Sequence, residues 1–173
     1  MSLFTVNQLK AAIGGGAKTD RFTIEFGIPA IDGSINLNTN GPILLKTAQV
    51  PERTIGKIEV YGQGGRKLSL PGNTEYNNPL QVSFYQTADH NLRGMISKWQ
   101  TLIDNYNKNT HICNPDQIFV EAKLHQLGCD GQVTATYTFH NVWPELISEV
   151  EFDTETVNQI QIFSVSFAYS HWE

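Results

Sequence analysis

Apolar and polar residues alternate along most of this chain, the period-2 pattern of half-buried strands. From Ile160 to Tyr169, Phe163, Val165, Phe167 and Tyr169 share one face, and Ser164, Ser166, Ala168 and Ser170 share the other. The rich face needs cover. The poor face is flat, small and uncharged, without the Lys or Pro that protects an exposed sheet, and is expected to be covered from outside its own domain. Arg21 to Pro29 sets Phe22, Ile24 and Phe26 against Thr23 and Glu25. Ile43 to Gln49 and Thr54 to Tyr61 follow as strands, the latter with Ile58 and Val60 opposed by Lys57 and Glu59. Leu80 to Gln86 puts Leu80, Val82 and Phe84 on one side. Ile118 to Gln126 buries Ile118, Val120, Ala122 and Leu124, and Val133, Ala135, Tyr137 and Phe139 form the inner face of its return strand. Ile147 to Asp153 is predicted as a further strand.

Glycine-rich stretches punctuate the pattern. Gly62 to Gly65 is read as the open tip of a hairpin whose short return strand, Arg66 to Leu70, stops at Pro71-Gly72. Residues 30–42 and 73–79 are read as loops, and Gly128 to Gly131 as a tight turn. One segment changes period: Leu92, Met95, Ile96, Trp99, Leu102, Ile103 and Tyr106 recur at helical spacing, with Asp89 as the expected N-cap. A shorter helix over residues 3–13 carries Val6, Leu9 and Ile13 and ends at a hinge, Gly14-Gly15-Gly16. Eight or nine strands with one long helix imply a mainly β fold, an antiparallel barrel or sandwich with the helix attached. The length of 173 residues fits one domain over 1–173, with 1–16 as an N-terminal arm.

Net charge is 12 minus 17, or -5, so no basic patch is available to neutralise phosphates, and the surface repels DNA. Met1-Ser2-Leu3-Phe4 lacks the basic and apolar regions of a signal peptide. No apolar run approaches the ~20 residues of a membrane helix, and no membrane anchor is expected. Two cysteines, Cys113 and Cys129, make no disulfide framework and are read as free thiols in a reducing cytoplasm.

Candidate chemistry is sparse. His111, Cys113, His125 and Cys129 could be assembled into a zinc set, but their spacing lacks the close Cys pair of a finger. Surface histidines and ordinary thiols are the simpler reading, so no metal is expected. Gly62-Gln63-Gly64-Gly65-Arg66-Lys67 has the composition of a phosphate cradle, yet leads into the strand-like Leu68-Ser69-Leu70 rather than a helix. Asp89 and His90, near Ser83 and Ser97, lack a nucleophile on a strained turn. Glu149, Glu151 and Asp153 would share one strand face, read as a solvated acidic stripe rather than a cation or acid/base site. No cofactor and no catalytic residue is assigned, and Trp99, Tyr137 and Phe139 are core anchors.

The C-terminal block resembles the tail tube family of contractile-tailed phages of the T-even type. Asn141-Val142-Trp143-Pro144 is similar to that family's strand-ending Trp-Pro signature. Val150-Glu151-Phe152-Asp153, then Asn158-Gln159-Ile160-Gln161, the alternating final strand and Trp172-Glu173 follow in the same order and spacing. Shorter likenesses lie at Arg21 to Phe26, at Lys46-Thr47-Ala48-Gln49-Val50-Pro51, at Gly65-Arg66-Lys67-Leu68 and from Arg93 to Trp99-Gln100. The chain departs from the family in residues 30–42, in 73–79 and in its two cysteines.

The resemblance implies a β-barrel or sandwich flanked by one helix, with Trp99, Trp143, Pro144 and Trp172 as its signature. It implies a structural protein, not an enzyme, whose copies form six-fold rings stacked into a hollow tube inside a contractile sheath. Implied partners are the sheath, tape-measure, baseplate and tail-terminator proteins, with DNA passing through the channel without specific binding. The implied location is the virion tail, assembled in the host cytoplasm. On this reading Gln63, Gly64, Gly65, Arg66 and Lys67 at the hairpin tip reach the next ring, residues 41–72 carry ring-to-ring contacts, and the channel is neutral to acidic. Two alternatives stay open: a baseplate tube initiator or type VI secretion tube subunit, and a carbohydrate-binding or hydrolytic β-sandwich.

Overall fold

The computed structural model describes residues 5–150, 152, 153, 155 and 157–173. In chain order these form α1 (Val6–Ile13), β1 (Phe22–Phe26), α2 (Gly41–Leu44), β2 (Leu45–Gln49), β3 (Thr54–Tyr61), β4 (Lys67–Glu75) and β5 (Leu80–Tyr85). Then come α3 (Asn91–Ile103), β6 (Asp104–Asn105), β7 (Thr110–His111), β8 (Val120–Leu127), β9 (Val133–Ile147), β10 (Ile162–Ala168) and β11 (His171–Trp172). The main sheet is antiparallel and runs β1-β8-β9-β10-β5-β2, with β11 also paired to β9. Its ends do not join, so the expected barrel is not closed. Instead the sheet folds over on itself as a sandwich, and the Phe26 ring of β1 meets the Phe167 ring of β10 at 4.9 Å.

β9 makes the fold-over possible. One edge pairs with β8 as far as Val142, and the other pairs first with β11 and then with β10. The inward face changes parity along it: Phe139 is buried, then Val142 and Pro144. The switch is a bulge. Ala122 faces Phe139 and Val120 faces Val142, so three steps on β9 answer two on β8. Asn141 sits in the bulge at φ +57°, and its Nδ2 donates to Ser170 Oγ at 2.8 Å. Thus Trp143-Pro144 does not end the strand, which continues to Ile147. Proline is tolerated here because β8 pairs no further than Val142, leaving the β8 edge at Pro144 without a described strand while β10 pairs the other edge; Gln100 of α3 donates to the Pro144 and Glu145 carbonyls at 3.4 and 3.2 Å.

The core follows the alternation. Phe163, Val165 and Phe167 face Phe84, Val82 and Leu80 across the β10–β5 ladder, all essentially inaccessible. α3 covers the remaining opening with Leu92, Ile96 and Trp99 buried. Its cap position is His90 in the left-handed region (φ +52°) rather than Asp89, whose carboxylate accepts the Thr87 hydroxyl and, at 3.4 Å, the Asn91 amide. The helix ends at Ile103, where the chain turns into the short β6–β7 pair, leaving Tyr106 exposed. Val133 is likewise exposed, because β9 begins beyond the body of the core.

Residues 27–40 do more than connect. Ile35 and Leu37 enter the core, and Asn38 clamps the free edge of β1, accepting from Phe26 N at 2.8 Å and donating to Phe26 O at 2.6 Å. Asp32 ties this segment to α3: Lys98 Nζ lies 2.6 Å from its Oδ2 and 2.9 Å from Ser34 Oγ. The predicted strand over 147–153 is absent among the described residues beyond Ile147. Ser148 makes two bonds to Ser164, but β10 begins only at Ile162, and the described residues beyond join no ladder. Glu149 and Asp153 therefore do not share a strand face, and Glu151 lies outside the described residues. No described helix is long and apolar enough to cross a membrane.

Two outcomes follow. Asn141→Gly should keep its denaturant midpoint near the parent, whereas Asn141→Val should lose about 1–2 kcal/mol, because a β-branched residue resists left-handed backbone. The Lys98 ammonium, with the Ser34 amide, holds the Asp32 carboxyl down at about 2, against ~3.9 for a free aspartate. A depressed carboxylate contributes fully above its unfolded value and loses that contribution as pH falls through the folded one. The tie should therefore hold above about pH 4 and fail toward pH 2, and in Lys98→Met an NMR titration should find Asp32 back in the ordinary range.

Candidate assembly interface

β3 and β4 form a two-stranded hairpin separate from the main sheet. The sequence reading of β3 holds, but β4 continues through Pro71-Gly72 to Glu75 instead of stopping. Opposite Gly56 the pairing slips by one residue. A Cβ on Gly72 would stand 3.1 Å from Gly56 backbone atoms, so any larger residue there would crowd the bulge. The proline survives because both strands of an isolated hairpin are edges.

The hairpin has two unlike faces. Ile58 faces Leu70 and Val60 faces Leu68, making an apolar quartet 43–58% exposed. The opposite face pairs Lys57 with Pro71, Glu59 with Ser69 and Tyr61 with Lys67. There Glu59 binds Lys57 at 2.9 Å and Lys67 at 2.5 Å and accepts the Tyr61 hydroxyl at 2.7 Å. These donors, Lys67 foremost, hold the Glu59 carboxyl below its usual range, and the bond to the Glu59 carboxylate pushes the Tyr61 phenol up. The tip closes with Gly62 N donating to Arg66 O at 2.8 Å, while Gly64 and Gly65 both take φ +75°. Gln63, Gly64, Gly65, Arg66 and Lys67 are all exposed. The glycines turn into a strand, so they form no helix N-terminus for a phosphate.

The C-terminal tryptophan fixes the hairpin's base. Trp172, half-buried on β11, meets the rings of Tyr76, Tyr137 and Phe139, and the Arg53 guanidinium stacks over it at 5.4 Å. Tyr169 donates to Asn78 O at 2.8 Å, and Asn78 Nδ2 to Glu52 Oε1 at 3.1 Å. The other signature residues serve the body: Trp99 in α3, Trp143 beside Ala168, Pro144 beside Phe167. Sequence reading found these aromatics but missed Arg53 and Tyr76, which carry no periodic signal.

A second unsatisfied element is α1. Thr5 and Gln8 close its start reciprocally, Gln8 N donating to Thr5 Oγ1 at 3.3 Å and Thr5 N to Gln8 Oε1 at 2.9 Å. Yet no residue of α1 is buried; Val6, Leu9 and Ile13 are 81, 57 and 57% exposed. Gly14 and Gly16 follow at φ +58° and +64°, left-handed backbone that favours glycine. Residues 1–4 of the arm lie outside the described residues.

The other candidates do not converge. His125 shares Thr136 Oγ1 at 2.9 Å and lies 3.7 Å from Glu25, while His111 pairs loosely with Asp104. Cys113 and Cys129 are exposed free thiols on separate connections. Among the described residues no three His, Cys, Asp or Glu side chains gather as a metal set. Asp89 and His90 sit at the start of α3 with no positioned nucleophile.

The sequence model of the phage tail tube protein family matches residues 17–173. The tail tube protein of Serratia phage KSP90 is 26% identical over 168 residues, covering 95% of this chain and 94% of that protein. The tail tube protein gp19 of Enterobacteria phage T4 is 25% identical over 138 residues, 79% of this chain and 83% of its own. In fold, the chain superposes on the tube-terminating cap of the anti-feeding prophage with a TM-score of 0.65 (15% identity, 91% of this chain, 89% of that one). It superposes with a TM-score of 0.60 on a chain of the PVC sheath–tube complex in its extended state (12% identity, 99% of this chain, 97% of that one). The chain belongs to the phage tail tube protein family and is a structural, non-enzymatic component of a virion tail.

Proposed function

We propose that this chain assembles with identical copies into six-membered rings stacked as the hollow tube of a contractile tail, with the β3–β4 hairpin as its ring-to-ring contact. The observation that carries this is the hairpin itself. A lone two-stranded hairpin is marginal in water; this one is braced by its charged face and anchored at its base, yet its apolar face is left open. A contiguous apolar surface on a folded protein marks a contact. A head-to-tail contact with translation builds a tube rather than a closed dimer. Residues 41–72 also include β2, whose outer edge no described strand pairs, and an open edge can accept a strand from a neighbour.

Residues 1–173 act as one domain in this reading, with 1–16 as its arm. Sheath, baseplate and terminator proteins are the partners that fit, since solved chains of this fold sit in a sheath–tube complex, a baseplate and a tube-terminating cap. A tape-measure protein in the channel, DNA passing without specific binding, and assembly in the host cytoplasm complete the proposal. A neutral to acidic channel suits such passage. Lys57 and Lys67 share Glu59, and Lys123 faces Glu25 across β1–β8, so each of these lysines has a carboxylate beside it.

Deleting Gln63 to Gly65 should leave a folded, monomeric chain with the parent's far-ultraviolet circular dichroism and no tubes by negative-stain electron microscopy. Parent-like tubes from this variant would remove the hairpin from ring contact; single rings from the parent would make it an initiator. A reconstruction of the tube should show a channel wall of neutral or negative potential. A wall lined by Lys57, Lys67 and Lys123 with their carboxylates turned away would contradict that.

A further inference from the structure

The geometry points to α1 of one copy lying across the apolar face of the β3–β4 hairpin of a neighbouring copy, an arm-on-hairpin clasp that rests on the self-assembly reading above. The two elements leave the sandwich at the same end. β1 begins beside the β8–β9 turn, where Arg21 Nη1 donates to Cys129 O at 3.0 Å. β2 leads out toward the hairpin at that end, because Phe22, Leu124 and Tyr137 share an open cavity of about 300 Å³ with Ala48 and Val50. At this end stand two apolar faces that the described chain leaves bare, Val6/Leu9/Ile13 on a helix and Ile58/Val60/Leu68/Leu70 on a ribbon.

The faces match in size and chemistry. At about 1.5 Å per residue the α1 stripe is ~10 Å long, and the quartet extends ~7 Å along strands ~5 Å apart, so one helix covers one ribbon. The one charge on α1 is Lys10, at the flank of the apolar stripe, and Lys57, Glu59 and Lys67 lie on the hairpin's far face while Arg66 stands at its exposed tip; long Lys and Arg side chains at the rim of an apolar contact keep their charges in water. A neighbour is the occupant because a repeating head-to-tail assembly gives every copy both an arm to donate and a hairpin to cover. The left-handed glycines Gly14 and Gly16 let the arm stand away from its own body.

The test uses full-length chains with Cys113 and Cys129 changed to Ser, one carrying Leu9→Cys and the other Leu68→Cys. Mixed, assembled and treated with a short bis-maleimide, they should give a covalent dimer that neither chain gives alone. Leu9→Ser with Ile13→Ser, outside the folded body, should raise the concentration needed for tubes about tenfold or more. Tubes that form without the mixed dimer overturn the clasp and leave the assembly reading standing. A link found only inside a Leu9→Cys/Leu68→Cys double variant places the arm on its own hairpin and overturns it too. A parent chain that stays monomeric at every concentration overturns the assembly reading and the clasp together.

Discussion

The fold depends on one residue's backbone. Asn141 takes left-handed φ in the middle of β9, the bulge shifts the inward face by one, and a single strand can then serve both layers. Without the shift, a residue of the wrong parity would point Trp143 into the core and Pro144 out of it, because one step turns every side chain over. With it, Phe139 packs in the first layer and Pro144 in the second, and β10 can run on into β11 along the same edge. Asparagine is among the few residues besides glycine that tolerate this conformation, and its amide holds Ser170 at the point where β10 gives way to β11.

Body and hairpin answer to different forces. The body is held by alternating aromatics, by α3 and by the Asn38 clamp, all of which a lone chain satisfies. The hairpin has its charges balanced internally by Glu59 and its base gripped through Trp172, but among the described residues nothing covers Ile58, Val60, Leu68 and Leu70. Stability of the subunit and strength of assembly are therefore separable, as a protein that folds before it polymerises requires. The glycine bulge at Gly56 and Gly72 adds twist to the ribbon and makes it a poorer template for indiscriminate strand pairing.

Where the sequence had period it was legible. Leu80/Val82/Phe84, Phe163/Val165/Phe167 and the α3 stripe around Trp99 fell where alternation and helical spacing put them. It failed where context outweighed local pattern. Pro71-Gly72 has the composition of a stop, yet on a two-edged ribbon it is a bulge. Ile35 and Leu37 stand in an Asn- and Gly-rich stretch too short to show a period, and only tertiary burial reveals them. Residues 147–153 alternate well, but a strand also needs a partner edge, and β10 starts too late to give one. Asp89 lost the cap to His90 because the turn before α3 took left-handed backbone one residue later. The Gly62–Lys67 tip was readable as a turn; that its flanks form an amphipathic ribbon needed the register.

The ordering of these elements constrains how such a chain avoids premature aggregation. Val6, Leu9 and Ile13 with Ile58, Val60, Leu68 and Leu70 would be a hazard if they formed one surface on one molecule. They are instead divided between a short helix behind a glycine hinge and a ribbon whose other face is charged, so neither alone makes a broad sticky patch. In the proposed clasp, each becomes a full contact only when a second copy supplies the other half. Net charge of -5 opposes chance encounters at long range, and screening leaves the short-range apolar match to decide when ordered contact begins. Division of the apolar surface thus does for timing what the Asn141 bulge does for shape: it makes the final arrangement depend on a specific geometry rather than on hydrophobicity alone.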